Sequence, residues 1–196
     1  IFTPDFFNML LVVMAVVGLF VFVCLYFVDA GYGKMISDKW GPAMPNKLGW
    51  MLMECPVFIV LLYLWLTADA EIRYSVPYLL FFLFFELHYF QRSFIFPFLL
   101  KGKSKMPIVI MALSVIWNLI NGYIQGYWLF HLAPQDPTFS VLYSSEWVFS
   151  WQFVLGTVVF FLGMFINMHS DHVIRHLRKP GDTKHYLPQK GMYKYV

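Results

Sequence analysis

Charge is what this sequence holds least of. Asp, Glu, Lys and Arg make up 13% of its 196 residues, against roughly a quarter in soluble domains. Hydrophobic residues supply 60% and aromatic residues 21%. So few charges cannot cover a water-facing surface, which excludes an ordinary soluble domain and points to a bilayer. Cysteine is scarce as well. Cys24 and Cys55 both lie inside apolar runs, which excludes a disulfide framework or zinc-finger spacing and marks both as reduced core thiols. No G-x-G-x-x-G follows a strand and no G-x-x-x-x-G-K-[ST] occurs, so neither Rossmann nor P-loop nucleotide binding is available. A nucleotide would have to be held by helix ends and loops. Internal repeats, low-complexity tracts and domain-separating linkers are lacking too, and no Ser/His/Asp arrangement is legible.

What the sequence does hold is about five apolar runs, 6–28, 48–67, 74–90 leading into 94–100, 106–130 and 147–168, each near the length of roughly 18 residues that marks a spanning helix. The first has no basic n-region and no small-residue cleavage site, so it is expected to be a retained span. The fold class that follows is all-α, a multi-pass integral membrane helix bundle with about five spans in this chain. Of the 14 Lys and Arg residues, 13 fall in alternate connections on one side, and only Arg73 falls in the other set. By the positive-inside rule the basic side is cytoplasmic and the N-terminus lies outside. The net charge of +3 thus reflects membrane orientation and requires no nucleic-acid partner.

Polar groups inside such runs are costly and point to function. Glu54 follows Trp50 by one turn, and Pro56 behind it removes a backbone donor and kinks the helix. A neutral Glu54 could donate a hydrogen bond there; alternatively it is a structural acid bonded to a neighbouring helix. Glu86, Tyr89 and Arg92 form a stripe at i, i+3 spacing toward the cytoplasmic end, with Arg92 expected at the water interface and Tyr89 either a donor into the bundle or a belt aromatic. Asn118, Asn121 and Gln125 make a polar seam of the kind that usually joins helices. His169, His172 and His176 raise a metal reading, but one histidine cluster without further carboxylate boxes is thin support for it.

Most of the concentrated polarity lies in 167–181. If the fifth helix continues to Pro180, Asn167, Asp171, Arg175 and Arg178 share an arc of about 80°, with the three histidines opposite. An amide, a carboxylate and two guanidiniums at a membrane edge suit a ribose and phosphate ligand. The other reading is a basic helix end that only anchors the span.

Tyr32-Gly33-Lys34, Leu48-Gly-Trp50-Met-Leu-Met53-Glu54-Cys-Pro56, His88-Tyr89-Phe-Gln-Arg92-Ser-Phe, Asn121-Gly-Tyr-Ile-Gln125-Gly126-Tyr and Asn167-x-His-Ser-Asp171 through Arg178-Lys-Pro-Gly occur in that order along nearly the whole chain. Together they resemble the steroid 5α-reductase family (3-oxo-5α-steroid 4-dehydrogenases). The resemblance implies a membrane reductase that passes hydride from NADPH to the β-carbon of a 3-oxo-Δ4 steroid. Glu54 and Tyr89 match the pair that hydrogen-bonds the substrate carbonyl. Asn167, Asp171 and Arg178 match cofactor contacts, to which Arg175, from the shared face above, and Tyr32, Trp50, Arg92 and Lys103, as looser matches, are added. It also implies one reductase domain over 1–196 that lacks its C-terminal part, seven spans in the intact protein, a steroid-like lipid substrate among membrane lipids, and no obligate protein partner. The membrane implied is the endoplasmic reticulum in a eukaryote or the inner membrane in a bacterium. Met53 departs from the family's usual glutamine and Tyr186 from an arginine. A trans-2-enoyl-CoA reductase of the same superfamily, a proton-coupled transporter using Glu54 and Glu86, and a membrane methyltransferase are the rival readings.

Overall fold

The computed structural model describes residues 3–28, 38–101, 104–177 and 186–195. Five helical segments are long and apolar enough to cross a membrane, Pro4–Cys24, Asn46–Thr67, Val76–Leu99, Ile108–Gln135 and Trp151–Arg175. The chain is a multi-pass membrane helix bundle. Helix α1 (Pro4–Cys24) opens with Thr3, whose Oγ1 accepts from the Phe6 N–H at 3.3 Å, and with proline in its first turn. Strand β1 (Ala43–Pro45) leads into α2 (Asn46–Thr67), and after a one-turn α3 (Ala70–Arg73) the chain returns through α4 (Val76–Phe90) and α5 (Phe96–Leu99). Strand β2 (Lys105–Pro107) leads into α6 (Ile108–Tyr127), and a short α7 (Pro137–Leu142) precedes α8 (Trp151–Arg175).

The third span joins the apolar pieces 74–90 and 94–100 into one helical segment and the fourth runs past 130 to Gln135, each through a widened turn ahead of a proline. Between α4 and α5 the helix widens into a π-turn over Gln91–Ile95, and after α6 it does so over Trp128–Leu132. Pro97 and Pro134 follow these turns. Each lacks the N–H that would bond four residues back, and its ring crowds that carbonyl. A wider i→i+5 pattern relieves the crowding without ending the helix: Phe96 donates to the Gln91 carbonyl and Ala133 to the Trp128 carbonyl. The fifth span also differs from expectation. It begins at Trp151, where Ser150 caps it through the Phe153 N–H, and ends at Arg175, five residues short of Pro180.

The strands fix how the bundle starts. They pair antiparallel, Met44 opposite Met106, so α2 and α6 leave the same end side by side. They then pack closely because α6 presents Gly122 and Gly126 to α2. A Cβ at Gly122 would lie 3.1 Å from the Val57 carbonyl oxygen, and one at Gly126 only 2.8 Å from Leu64 Cδ1. Small residues one turn apart let helix backbones approach in lipid. Asn118 Nδ2 donates to the Met53 carbonyl beside Pro56, and His131 Nε2 lies 3.3 Å from the Leu64 carbonyl. Asn118 is thus the helix-to-helix contact that the polar seam predicts. Gly126→Leu should wedge α2 from α6 and lower stability by about 1–3 kcal/mol, the usual cost of overpacking. Gly163→Leu, whose Cβ position meets nothing within 4 Å, should leave thermal unfolding in detergent near wild type.

Helices α4 and α8 close the bundle through stacked and edge-on rings. Phe84 meets Phe160 at 5.2 Å and Phe81 meets Phe153 at 5.9 Å. At the opposite end from the strands, Arg73 Nη1 donates to the Leu66 carbonyl at 2.9 Å. Arg73, the one basic residue that the sequence sets apart from the other thirteen, therefore satisfies an open carbonyl at the end of α2. Cys24 and Cys55 are free thiols.

Candidate active site

At the strand end of the bundle, three helices deliver charge to one point. Helix α2 brings Glu54, the widened turn after α4 brings Arg92, and the last turn but one of α8 brings Asp171. Arg92 Nη2 lies 3.3 Å from Glu54 Oε1, and Arg92 Nη1 lies 3.2 Å from Asp171 Oδ2. One guanidinium thus spans two carboxyl groups from different helices, as its planar fork allows. Aromatic faces hold it in place. Its Cζ stands 4.6 Å from the ring centres of both Trp50 and Phe96, and those rings meet edge-on at 5.0 Å. Such contacts add cation–π attraction at a guanidinium whose side chain is only 13% exposed.

Tyr89 completes the group. Asn121 Nδ2 donates to its hydroxyl oxygen at 3.4 Å, and Glu54 lies within electrostatic range of it. Because Asn121 donates, the Tyr89 oxygen acts there as acceptor, and its own proton has no acceptor among the described residues. The arrangement leaves a phenolic O–H uncommitted beside a carboxyl group.

The structure brings together Glu54, Tyr89, Arg92, Trp50 and Asp171. Arg175 joins them through Phe96, 6.0 Å from the ring centre, and has no ion pair among the described residues. Asn167 is exposed one turn before Asp171 on the same helix face. Tyr32, Lys103 and Arg178 lie outside the described residues, so the four-residue arc holds in this structure for Asn167, Asp171 and Arg175. Arg92 is not the water-facing residue expected at an interface but the half-buried centre of the cluster. Glu54 meets a cation and accepts from it, where the sequence alone raised a donor. Glu86 does not extend the stripe: its carboxyl oxygens are buried without a hydrogen-bond partner among the described residues.

Three contributors are harder to see in the sequence. Asn121 serves Tyr89 and not merely a helix seam, Phe96 supports both guanidiniums, and the turn at Gly191–Lys194 returns to α8. Gly191 has φ +64, which favours glycine, and a Cβ there would fall 2.6 Å from His169 Cε1, so the ring would have to move. Tyr193 in this turn comes close to Asp171. Partial burial, then the Asp171 carboxylate, push its phenol above the usual range. His172 and His176 stack at 4.1 Å, and among the described residues no three His, Cys, Asp or Glu side chains converge on a metal position.

Comparison with known proteins bears on the same segments. Residues 104–196 match the family model for 3-oxo-5-alpha-steroid 4-dehydrogenase. Steroid 5-alpha-reductase DET2 of Arabidopsis thaliana is 34% identical over 203 residues, covering 97% of this chain and 72% of that protein. The chain belongs to the steroid 5α-reductase family. Within this family, 3-oxo-5-alpha-steroid 4-dehydrogenase 1 of Bos taurus is 33% identical over 181 residues, 91% of this chain and 67% of the relative. The Macaca fascicularis protein of the same name is 33% identical over 168 residues, 86% of this chain and 61% of the relative. The chain spans about three-fifths of the length of that steroid 5α-reductase and of the human one.

Proposed function

We propose that this chain forms the main part of an NADPH-dependent reductase acting on the C4=C5 double bond of a 3-oxo-Δ4 steroid. The observation that carries the reading is the Arg92 bridge, which ties Glu54 to Asp171 while the Tyr89 hydroxyl stands uncommitted beside Glu54. Reducing an enone builds negative charge on its carbonyl oxygen, and donors already in place lower that barrier most. Tyr89 donates its O–H to the carbonyl, and the Asn121 amide holds the phenol oxygen in position. Glu54 accepts from Arg92 through Oε1 and, when protonated, offers Oε2 as a second donor.

The cofactor fits the residues present. Asn167, Asp171 and Arg175 form one face at the end of a span, with an exposed amide, a carboxylate and a guanidinium that has no ion pair among the described residues. These groups suit ribose hydroxyls and phosphate, with Arg178, Lys103 and Tyr32 as further contacts proposed outside the described residues and Trp50 as an aromatic wall. NADPH, when bound, supplies the hydride that becomes the new C–H bond at the β-carbon, while a proton joins the α-carbon and the double bond becomes single. Arg92 acts as a positioning residue: by holding both carboxyl groups it keeps the cofactor face and the carbonyl donors at a fixed separation.

The reading extends to orientation and extent. The strand end of the bundle and the reduction site face the cytoplasm, in the endoplasmic reticulum of a eukaryote or the inner membrane of a bacterium, and 1–196 belongs to one reductase domain of seven spans. Lys101→Cys, in a protein with Cys24 and Cys55 changed to Ser, should react with a membrane-impermeant maleimide from the cytoplasmic side only. Labelling from the outside contradicts the orientation.

The decisive assay is NADPH consumption by the purified protein. A 3-oxo-Δ4 steroid should support it and a trans-2-enoyl-CoA should neither support it nor compete. The reverse preference assigns the site to an acyl thioester. Proton flux across liposomes without NADPH would favour the transporter, and binding of S-adenosylmethionine in place of NADPH the methyltransferase.

A further inference from the structure

The turn Gly191–Lys194 brings one more side chain to the Asp171 end of the Arg92 cluster. It packs against α8, with Gly191 lying directly on the His169 ring. The Met192 carbonyl closes the turn by accepting from the Tyr195 N–H at 3.0 Å. Met192, Lys194 and Tyr195 are exposed, whereas Tyr193 is half-buried. Tyr193 and Asp171 come near enough for the carboxylate to act on the phenol, yet no hydrogen bond joins them. Asp171 gives Oδ2 to Arg92. Neither its Oδ1 nor the Tyr193 hydroxyl has a hydrogen-bond partner among the described residues.

An open acceptor and an open donor standing this close select what can come between them. A phosphate is repelled by the Asp171 carboxylate, and an ammonium leaves the phenolic proton without an acceptor. A hydroxyl suits both, donating to the carboxylate and accepting from the phenol. One helical turn further, about 6 Å along α8, Arg175 offers a guanidinium with no ion pair among the described residues. A ribose phosphate carries a hydroxyl and an anion for that pair of positions. On the reading of Asn167, Asp171 and Arg175 as a nucleotide face, we propose that Tyr193 binds the cofactor, its O–H and the Asp171 carboxylate sharing one ribose hydroxyl. The turn that carries Tyr193 is then the outer wall of the cofactor site, supplied by a segment separate from α8.

The test is isothermal titration calorimetry of the full-length protein with NADPH, in detergent and without steroid. Tyr193→Phe should weaken NADPH about three- to tenfold, the loss of one neutral hydrogen bond. Tyr193→Leu, which removes the ring as well, should weaken it at least as much. Because Tyr193→Phe keeps the ring, the melting temperature of the cofactor-free protein and its affinity for a 3-oxo-Δ4 steroid should match wild type. Arg175→Ala is the control for the nucleotide face itself. If Arg175→Ala weakens NADPH while Tyr193→Phe binds it as tightly as wild type, the role of Tyr193 is overturned and the face stands. Undiminished affinity in both variants, or no binding by the wild type, overturns the face and the role of Tyr193 with it. Earlier melting of cofactor-free Tyr193→Phe, with steroid binding reduced in step, would make Tyr193 a packing contact and overturn the proposal.

Discussion

Tyr89→Phe should slow the reduction step by on the order of 10²–10³-fold, the usual loss when one donor to a developing oxyanion is removed. Loss of the hydroxyl leaves one partner, the Asn121 amide at 3.4 Å, without this acceptor, so the fold should be retained at a cost on the order of 1 kcal/mol. Its bond to the carbonyl tightens only as charge moves onto oxygen. Turnover should therefore fall much more than steroid affinity. Glu54 should behave similarly but not identically, because it also anchors Arg92. Glu54→Gln keeps the shape and a donor, so it should be milder than Glu54→Ala. Single-turnover NADPH oxidation measured beside thermal stability separates the roles. A Glu54→Ala protein that melts early yet turns over normally would make Glu54 structural.

Arg92→Ala should do the most damage of any single change. It removes one cation and leaves two carboxyl groups facing each other with side chains only 11% and 16% exposed. Breaking a buried ion pair by deleting one partner costs about 3–5 kcal/mol, enough to consume much of a domain's stability. The lost packing against Trp50 and Phe96 adds to this. Arg92→Lys keeps the charge, yet a single ammonium cannot hold two carboxyl groups in fixed geometry. It should recover much of the stability and little of the turnover. Asp171→Asn placed on Arg92→Ala should regain part of the melting temperature, since one unpaired acid is gone. No coupling between the two changes would show that the bridge carries no energy.

Much of this site is legible in the sequence, because intramembrane polar residues are rare enough to stand out. Trp50 and Glu54 are one turn apart on α2, and Asn167, Asp171 and Arg175 share a face of α8. Local spacing alone gives these. The Arg92 pairing is not local: it joins residues 38 and 79 positions apart in sequence, and only the packing of three helices brings them together. For the same reason i, i+3 spacing puts Glu86 on the Tyr89 stripe, although its carboxyl is buried apart from the Arg92 cluster. Helix ends are less legible: Pro97 and Pro134 are absorbed by π-turns, whereas α8 ends at Arg175, ahead of Pro180. The Gly122 and Gly126 pair is a plain small-residue signature that specifies how α2 and α6 pack.

The most direct test of the site is the fate of a label. The purified protein would be given NADPH deuterated at the transferable position of the nicotinamide together with a 3-oxo-Δ4 steroid, and the steroid product analysed by mass spectrometry and NMR. Deuterium should appear at carbon 5 of the wild-type product, and the rate of its appearance should fall on the order of 10²–10³-fold in Tyr89→Phe. A product free of deuterium, or labelling at an undiminished rate in Tyr89→Phe, would contradict the account.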